Sequence, residues 1–190
     1  MTTIQLFWLI LGTSWAIFEL VIAVKTRVKI ASTTQLEYRS ERLIWLVVAI
    51  ALFVSLSIKQ VHWATLPIEP LNRQIIAVTF FIIGITVRCY AVFSLGQFFS
   101  TTVTTKYQHL LIEKGPYQYI RHPAYTGLLV SFFAAGFAMG DGLALLALLC
   151  PVTYVLAKRI RFEEHCLSAH FGKPYSDYCL RTWKLFPWLY

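Results

Sequence analysis

Five apolar blocks alternate with polar connections along this chain of 190 residues. The first, Ile4 to Val24, holds 21 residues and a single charge, Glu19. At about 1.5 Å per residue it spans a hydrocarbon core of roughly 30 Å. Lys25 to Arg42 carries five basic residues among Ser, Thr and Gln and reads as a solvated loop. Leu43 to Ile58 is the second block, and a connector with Pro67 and Pro70 as helix stops leads to the third, Ile75 to Leu95. A long polar connection, Gly96 to Arg121, precedes Pro123 to Met139, which proline opens because it suits the first turn of a helix. The Gly140-Asp141-Gly142 turn then forces an antiparallel hairpin with Leu143 to Ala157, in which Pro151 is expected to introduce a kink.

Composition agrees with a membrane solvent. Hydrophobic residues make up 57% of the chain and charged ones 14%, far from a soluble average. The net charge of +8 accompanies blocks of lipid-grade hydrophobicity, so it fits a membrane surface and no nucleic acid is expected. The first block lacks a basic n-region and a small-residue cleavage site, so it reads as an anchor and not a removable signal. The four cysteines form no metal spacing, and no metal site is expected.

Charge also sets orientation. With the N-terminus outside, the inner side collects five Lys and Arg before the second block, three between Gly96 and Arg121, and six from Lys158 onwards. The outer side has Lys59 and Arg73. The positive-inside rule therefore predicts a cytoplasmic C-terminal tail. The fold class expected is an all-α integral membrane protein of five transmembrane helices, the last two a hairpin, with a cytoplasmic helical tail. Residues 1–95 form a scaffold; residues 96–190 form a cofactor-binding loop, the hairpin and a catalytic tail, within one integrated domain.

Two polar charges inside apolar blocks need partners. Arg88 snorkels to the interface, pairs with Glu19 or contacts a substrate directly, and Glu19 either meets a nearby cation or takes part in chemistry. If the fifth helix runs past the membrane, Arg159, Glu163, Cys166 and His170 share one face, beside an apolar stripe of Ile160, Leu167 and Phe171. That arrangement is either a solvated ion pair or a site in which Arg159 holds a carboxylate or phosphate and Glu163 a cationic group. Between Gly115 and Gly127 the chain places Arg121, His122 and three tyrosines at a helix entrance, and Gly127 permits close backbone approach.

The stretch Gly115-Pro116-Tyr117 through Arg121-His122-Pro123-x-Tyr125-x-Gly127, followed by Arg159-x-x-x-Glu163-Glu164 and Phe171-Gly172-x-x-Tyr175-x-x-Tyr178, resembles the isoprenylcysteine carboxyl methyltransferases and the wider membrane phospholipid methyltransferases. The likeness covers roughly Gly96 to Arg181, and the compact size resembles a prokaryotic member, whose membrane would be the plasma membrane. It implies S-adenosylmethionine as methyl donor, with S-adenosylhomocysteine as product, and no Rossmann domain. Carried onto matching positions, the cofactor contacts are His109, Leu110, Leu111, Ile112, Tyr117, His122, Pro123, Ala124, Tyr125 and Glu163. Thr102 stands at a further polar contact where some members carry glutamine. Arg159 faces the substrate carboxylate, and Arg159 with Glu163 forms the catalytic pair.

The activity implied is carboxyl O-methylation of an isoprenylated cysteine, or a similar lipid-linked carboxylate entering from the bilayer. Membrane lipids are the other expected partners, and no obligate protein partner is inferred. The alternatives are a phospholipid N-methyltransferase using Glu163 or Glu164 as base, a non-catalytic lipid-binding protein, and a sterol reductase built on a similar C-terminal half.

Overall fold

The structure is a computed structural model that describes residues 3–26, 35–96 and 111–187. Among them the order is α1 (Thr3–Thr26), α2 (Gln35–Val61), α3 (Pro70–Leu95), a 3₁₀ turn (Gly115–Gln118), α4 (Pro123–Met139), α5 (Gly142–Phe171) and α6 (Lys173–Arg181). Four of these helices contain segments long and apolar enough to cross a membrane: Thr3–Val24, Arg42–Val61, Pro70–Leu95 and Gly142–Phe171. α4 is equally apolar but shorter, at 17 residues.

Helix boundaries follow local chemistry, with two departures from the sequence expectation, in α2 and at Pro70, and one conditional reading, the continuation of α5, met. α2 starts at Gln35, inside the segment read as loop, because Leu, Glu and Arg propagate a helix beyond the bilayer. Pro70 opens α3 instead of stopping its predecessor, taking the first-turn position where a missing N–H costs nothing. α5 passes through Pro151 and continues to Phe171, where Gly172 ends it at φ 59° and α6 begins.

α3 and α4 pack backbone against backbone. A Cβ on Gly84 would lie 2.8 Å from the Gly127 carbonyl, and one on Gly127 would lie 2.6 Å from the Arg88 amide. Small residues allow this approach, as expected where lipid gives no hydrophobic drive between helices. The group that Gly127 admits is therefore α3, not a ligand. α5 lies against α4 and α2, and its Leu148, Val152, Leu156 and Ile160 fill a core with Leu129, Phe132 and Ala51.

The helix ends are pinned by polar contacts. Asp141 caps α5 by accepting from the Ala144 amide at 3.0 Å and also accepts from the Ala64 amide at 2.8 Å. These backbone bonds hold its carboxyl below the ordinary aspartate range. α1 meets α3 through side chains: Trp8 and Trp15 stack edge-on against Phe81, and Trp8 donates to Gln74 at 2.6 Å. At the other end Arg88 Nε donates to Glu19 Oε1 at 3.0 Å and its NH2 to Oε2 at 2.8 Å. Glu19 and Arg88 thus form the expected pair, buried and bidentate.

Because side chains hold α1 off, a cavity of about 1010 Å³ lies between α1, α2 and the α3–α5 core. It reaches from Trp8, Lys59 and Arg73 at one end to Arg159, Glu163 and Tyr175 at the other.

Candidate active site

The Arg159 end of the cavity is assembled by the residues that enter α4 and leave α5. His122 is the N-cap of α4 and Pro123 its first residue. The backbone after α6 returns here as a short parallel bridge: Arg121 N donates to Trp183 O at 2.7 Å, His122 N to Lys184 O at 3.1 Å, and Trp183 N to Tyr119 O at 2.9 Å. Thr126 Oγ1 adds a bond to Leu185 O at 2.7 Å. Orphan amides at the helix entrance are thereby satisfied by the tail.

Arg121 and Glu164 lock this arrangement. Arg121 Nε donates to Glu164 Oε1 at 3.1 Å, while its NH1 donates to Cys179 O at 3.0 Å and to Thr182 O. Lys184 Nζ reaches Glu164 Oε2 at 2.9 Å, and His122 Nε2 lies 3.3 Å from Oε1. One carboxylate collects three basic side chains from two segments. Tyr178, at the start of the return, donates to the Tyr117 carbonyl at 2.7 Å. Burial pushes the Tyr117 and Tyr178 hydroxyls far above the usual phenol range, so both remain protonated donors.

Facing the cavity, Tyr125 donates from its hydroxyl to Glu163 Oε2 at 3.0 Å, and the same hydroxyl is hydrogen-bonded by Arg159. Arg159 is 5% exposed and Glu163 half-buried, and both line the cavity. Leu111, Ile112, Tyr117, His122, Ala124 and Tyr125 line it too. Pro123 is fully buried behind the wall. His109, Leu110 and Thr102 lie outside the described residues. On the α5 face His170, Leu167 and Phe171 reach the cavity, whereas Cys166 does not line it and Ile160 belongs to the core.

The structure adds Lys184 and joins it through Glu164 to Arg121, a pairing that sequence reasoning missed although it named Arg121 at the helix entrance and Glu164 as an alternative base. The available signal was the Glu163-Glu164 doublet, since neighbours on a helix point about 100° apart and only one can face a given cavity. Two carboxylates in sequence hence have two tasks, one toward the cavity and one toward the tail.

Residues 76–169 match the profile of the isoprenylcysteine carboxyl methyltransferase (ICMT) family. That segment, just under half of the chain, is similar to the family. Protein-S-isoprenylcysteine O-methyltransferase B of Arabidopsis thaliana is 30% identical over 106 residues, covering 55% of this chain and 54% of that protein. The Schizosaccharomyces pombe protein-S-isoprenylcysteine O-methyltransferase is 32% identical over 107 residues, 55% of this chain and 45% of its own length. The chain thus spans about half the length of the curated relatives it matches. A solved structure of the eukaryotic intramembrane Ras methyltransferase ICMT superposes with a TM-score of 0.58 at 23% identity, covering 85% of this chain and 55% of that one. At that identity the likeness is one of fold. The chain is a membrane protein, all-helical among the described residues.

Proposed function

We propose that this chain is a methyltransferase that uses S-adenosylmethionine to esterify the carboxylate of an isoprenylated cysteine, or a similar lipid-linked carboxylate, at the membrane–cytoplasm border. The observation that carries the reading is the Tyr125 hydroxyl, which joins Glu163 to a buried Arg159 at the end of an apolar cavity. An arginine there suits a carboxylate, and the apolar walls beyond it suit a lipid chain.

The donor set fits the cofactor. A carboxylate, Glu163, stands beside the aromatic faces of Tyr117, His122 and Tyr125, with Leu111, Ile112 and Ala124 completing the wall. Such a site suits a cationic molecule carrying an adenine ring. When bound, S-adenosylmethionine supplies an electrophilic sulfonium methyl group. His109 and Leu110 complete the proposed contacts, and Pro123, expected among them, supports the wall from behind.

The chain's own work is positioning. The acceptor carboxylate is ionised at neutral pH, so the protein needs no general base. Arg159 orients it with charge-assisted hydrogen bonds, while Tyr125 keeps Glu163 aimed into the cavity. Holding two reactants in place can supply about 7–11 kcal/mol of the barrier. The α6 tail closes the cytoplasmic side and excludes water.

The same reading gives α4 and α5 as a spanning hairpin, five spans in all, with the N-terminus outside and the tail cytoplasmic. Residues 1–95 serve as scaffold and 96–190 hold cofactor and catalysis within one domain. In a prokaryotic cell the membrane would be the plasma membrane.

Calorimetric titration of S-adenosylhomocysteine into the detergent-purified chain, paired with methyl transfer to an S-farnesylcysteine carboxylate, tests the reading. Wild type binds and turns over, Glu163→Ala loses binding, and Arg159→Ala binds but loses at least about 100-fold in turnover, the effect of about 2.7 kcal/mol of lost transition-state stabilisation. Full turnover by Arg159→Ala, or unchanged affinity in Glu163→Ala, refutes these roles.

A further inference from the structure

The end of the cavity remote from Arg159 carries two cations that the proposed reaction does not use. Lys59, in the last turn of α2, and Arg73, near the start of α3, both line it. Lys59 lies within the field of Arg73. A lysine at a helix C-terminus is favoured by the helix dipole, but an arginine near an N-terminus is disfavoured. Arg73 therefore needs another explanation.

The guanidinium is packed against Gly140 at the α4–α5 turn. Its Nε is buried and has no hydrogen-bond partner among the described residues. Three carbonyls at the end of α4 each already accept one hydrogen bond: Phe137 O from Gly140 N, Ala138 O from Gln74, and Gly140 O from Leu66 N. Asp141 is occupied by the Ala64 and Ala144 amides. Among the described residues neither Lys59 nor Arg73 forms an ion pair, with exposed Glu69 or any other acid. An unsatisfied N–H calls for an explanation, and the rest of this half-buried side chain lines the cavity, where a ligand can reach it.

Position narrows the ligand. Seventeen residues of α5 separate Gly142, beside this cluster, from Arg159, which amounts to about 26 Å of helix. That approaches the thickness of a hydrocarbon core, roughly 30 Å. The cations thus stand at headgroup depth of the leaflet opposite to Arg159, and the wall nearby is apolar through Leu9, Leu52, Leu56 and Met139. An anion with an apolar remainder satisfies both halves.

We propose that Lys59 and Arg73 hold the phosphate of a bilayer phospholipid whose acyl chain occupies the remote half of the cavity. The guanidinium fork and the ammonium match phosphate oxygens. The lipid forms the floor of the chamber and limits the length of chain that enters from the Arg159 end. The phosphate contact stands without the methyl-transfer reading, because neither Lys59 nor Arg73 touches that site; the limit on chain length rests on it.

The test uses the full chain reconstituted in phosphatidylglycerol vesicles, extracted at fixed detergent ratio and measured by native mass spectrometry. Wild type retains one phospholipid per chain; Lys59→Gln/Arg73→Gln retains at least tenfold less, and Arg73→Lys, which keeps the charge, retains more than the double variant. Circular dichroism establishes that each is folded. Diacylglycerol of the same acyl chains is not retained, and millimolar inorganic phosphate does not displace the phospholipid. Should the double variant not fold, Lys59→Gln alone, which leaves the Gly140 packing untouched, lowers retention at least threefold. Equal retention by wild type and the folded variants, equal retention of diacylglycerol, or displacement by inorganic phosphate overturns the proposal.

Discussion

Glu164→Gln separates the task of holding the site together from the task of binding in it. Glu164 is 17% exposed and accepts from Arg121 at 3.1 Å and Lys184 at 2.9 Å, with His122 at 3.3 Å. Each hydrogen bond to a charged group is worth about 1.5–3 kcal/mol. Lys184, 20% exposed, can turn to water, and Arg121 keeps its acceptors on the tail carbonyls. What is lost is the charge opposite Arg121 Nε and His122, and after discounting for residual solvent screening the cost is about 2–4 kcal/mol. For a chain of this size each kcal/mol lowers Tm by about 2–4 °C, so thermal unfolding in detergent should fall by roughly 4–16 °C. Glu163→Gln is the matched control: its amide oxygen still accepts from Tyr125, so it should unfold within about 1 kcal/mol of wild type while losing donor affinity. If Glu164→Gln melts with wild type, or Glu163→Gln melts below it, the division of labour between the two carboxylates is wrong.

Three further outcomes follow from the packing and the ion pairs. Glu19→Gln leaves Arg88 buried without its counter-charge and should cost about 3–5 kcal/mol in unfolding experiments, most of it recovered in Glu19→Gln/Arg88→Met. Gly127→Ala drives a methyl group into the α3 backbone and should destabilise by about 1–3 kcal/mol or more, whereas Gly12→Ala, with open space around it, should be neutral or stabilising; equal melting of the two would contradict the α3–α4 contact. Asp141 has a depressed folded-state pKa, so its contribution is present above the unfolded aspartate value near 3.9 and fades as pH falls through the lower folded one. A pH titration of stability should show that fading in wild type and not in Asp141→Asn.

Much of this architecture was legible because membrane helices announce themselves locally. Pro123 and the Gly140-Asp141-Gly142 turn fix both ends of α4, and the spacing of Arg159 and Glu163 places both on the cavity side of α5. The errors came where a residue has two grammatical uses. Pro70 reads as a stop but opens α3, and the polar start of α2 reads as loop although its residues favour helix. The Arg121–Glu164–Lys184 cluster was invisible for a different reason. Its members are joined by a backbone pairing between residues 119–122 and 183–184 that no periodicity encodes.

That pairing also dictates when the site can come into being. Arg121 and Thr126 wait for acceptors that lie 61 and 59 residues further along the chain. At a synthesis rate of about 5–20 residues per second, the α4 entrance exists for roughly 3–12 s before its clasp is made. During that interval α4 and α5 are present without the tail that closes the entrance, so insertion machinery and proteases meet it open. The site is complete only once residues 182–185 have been made.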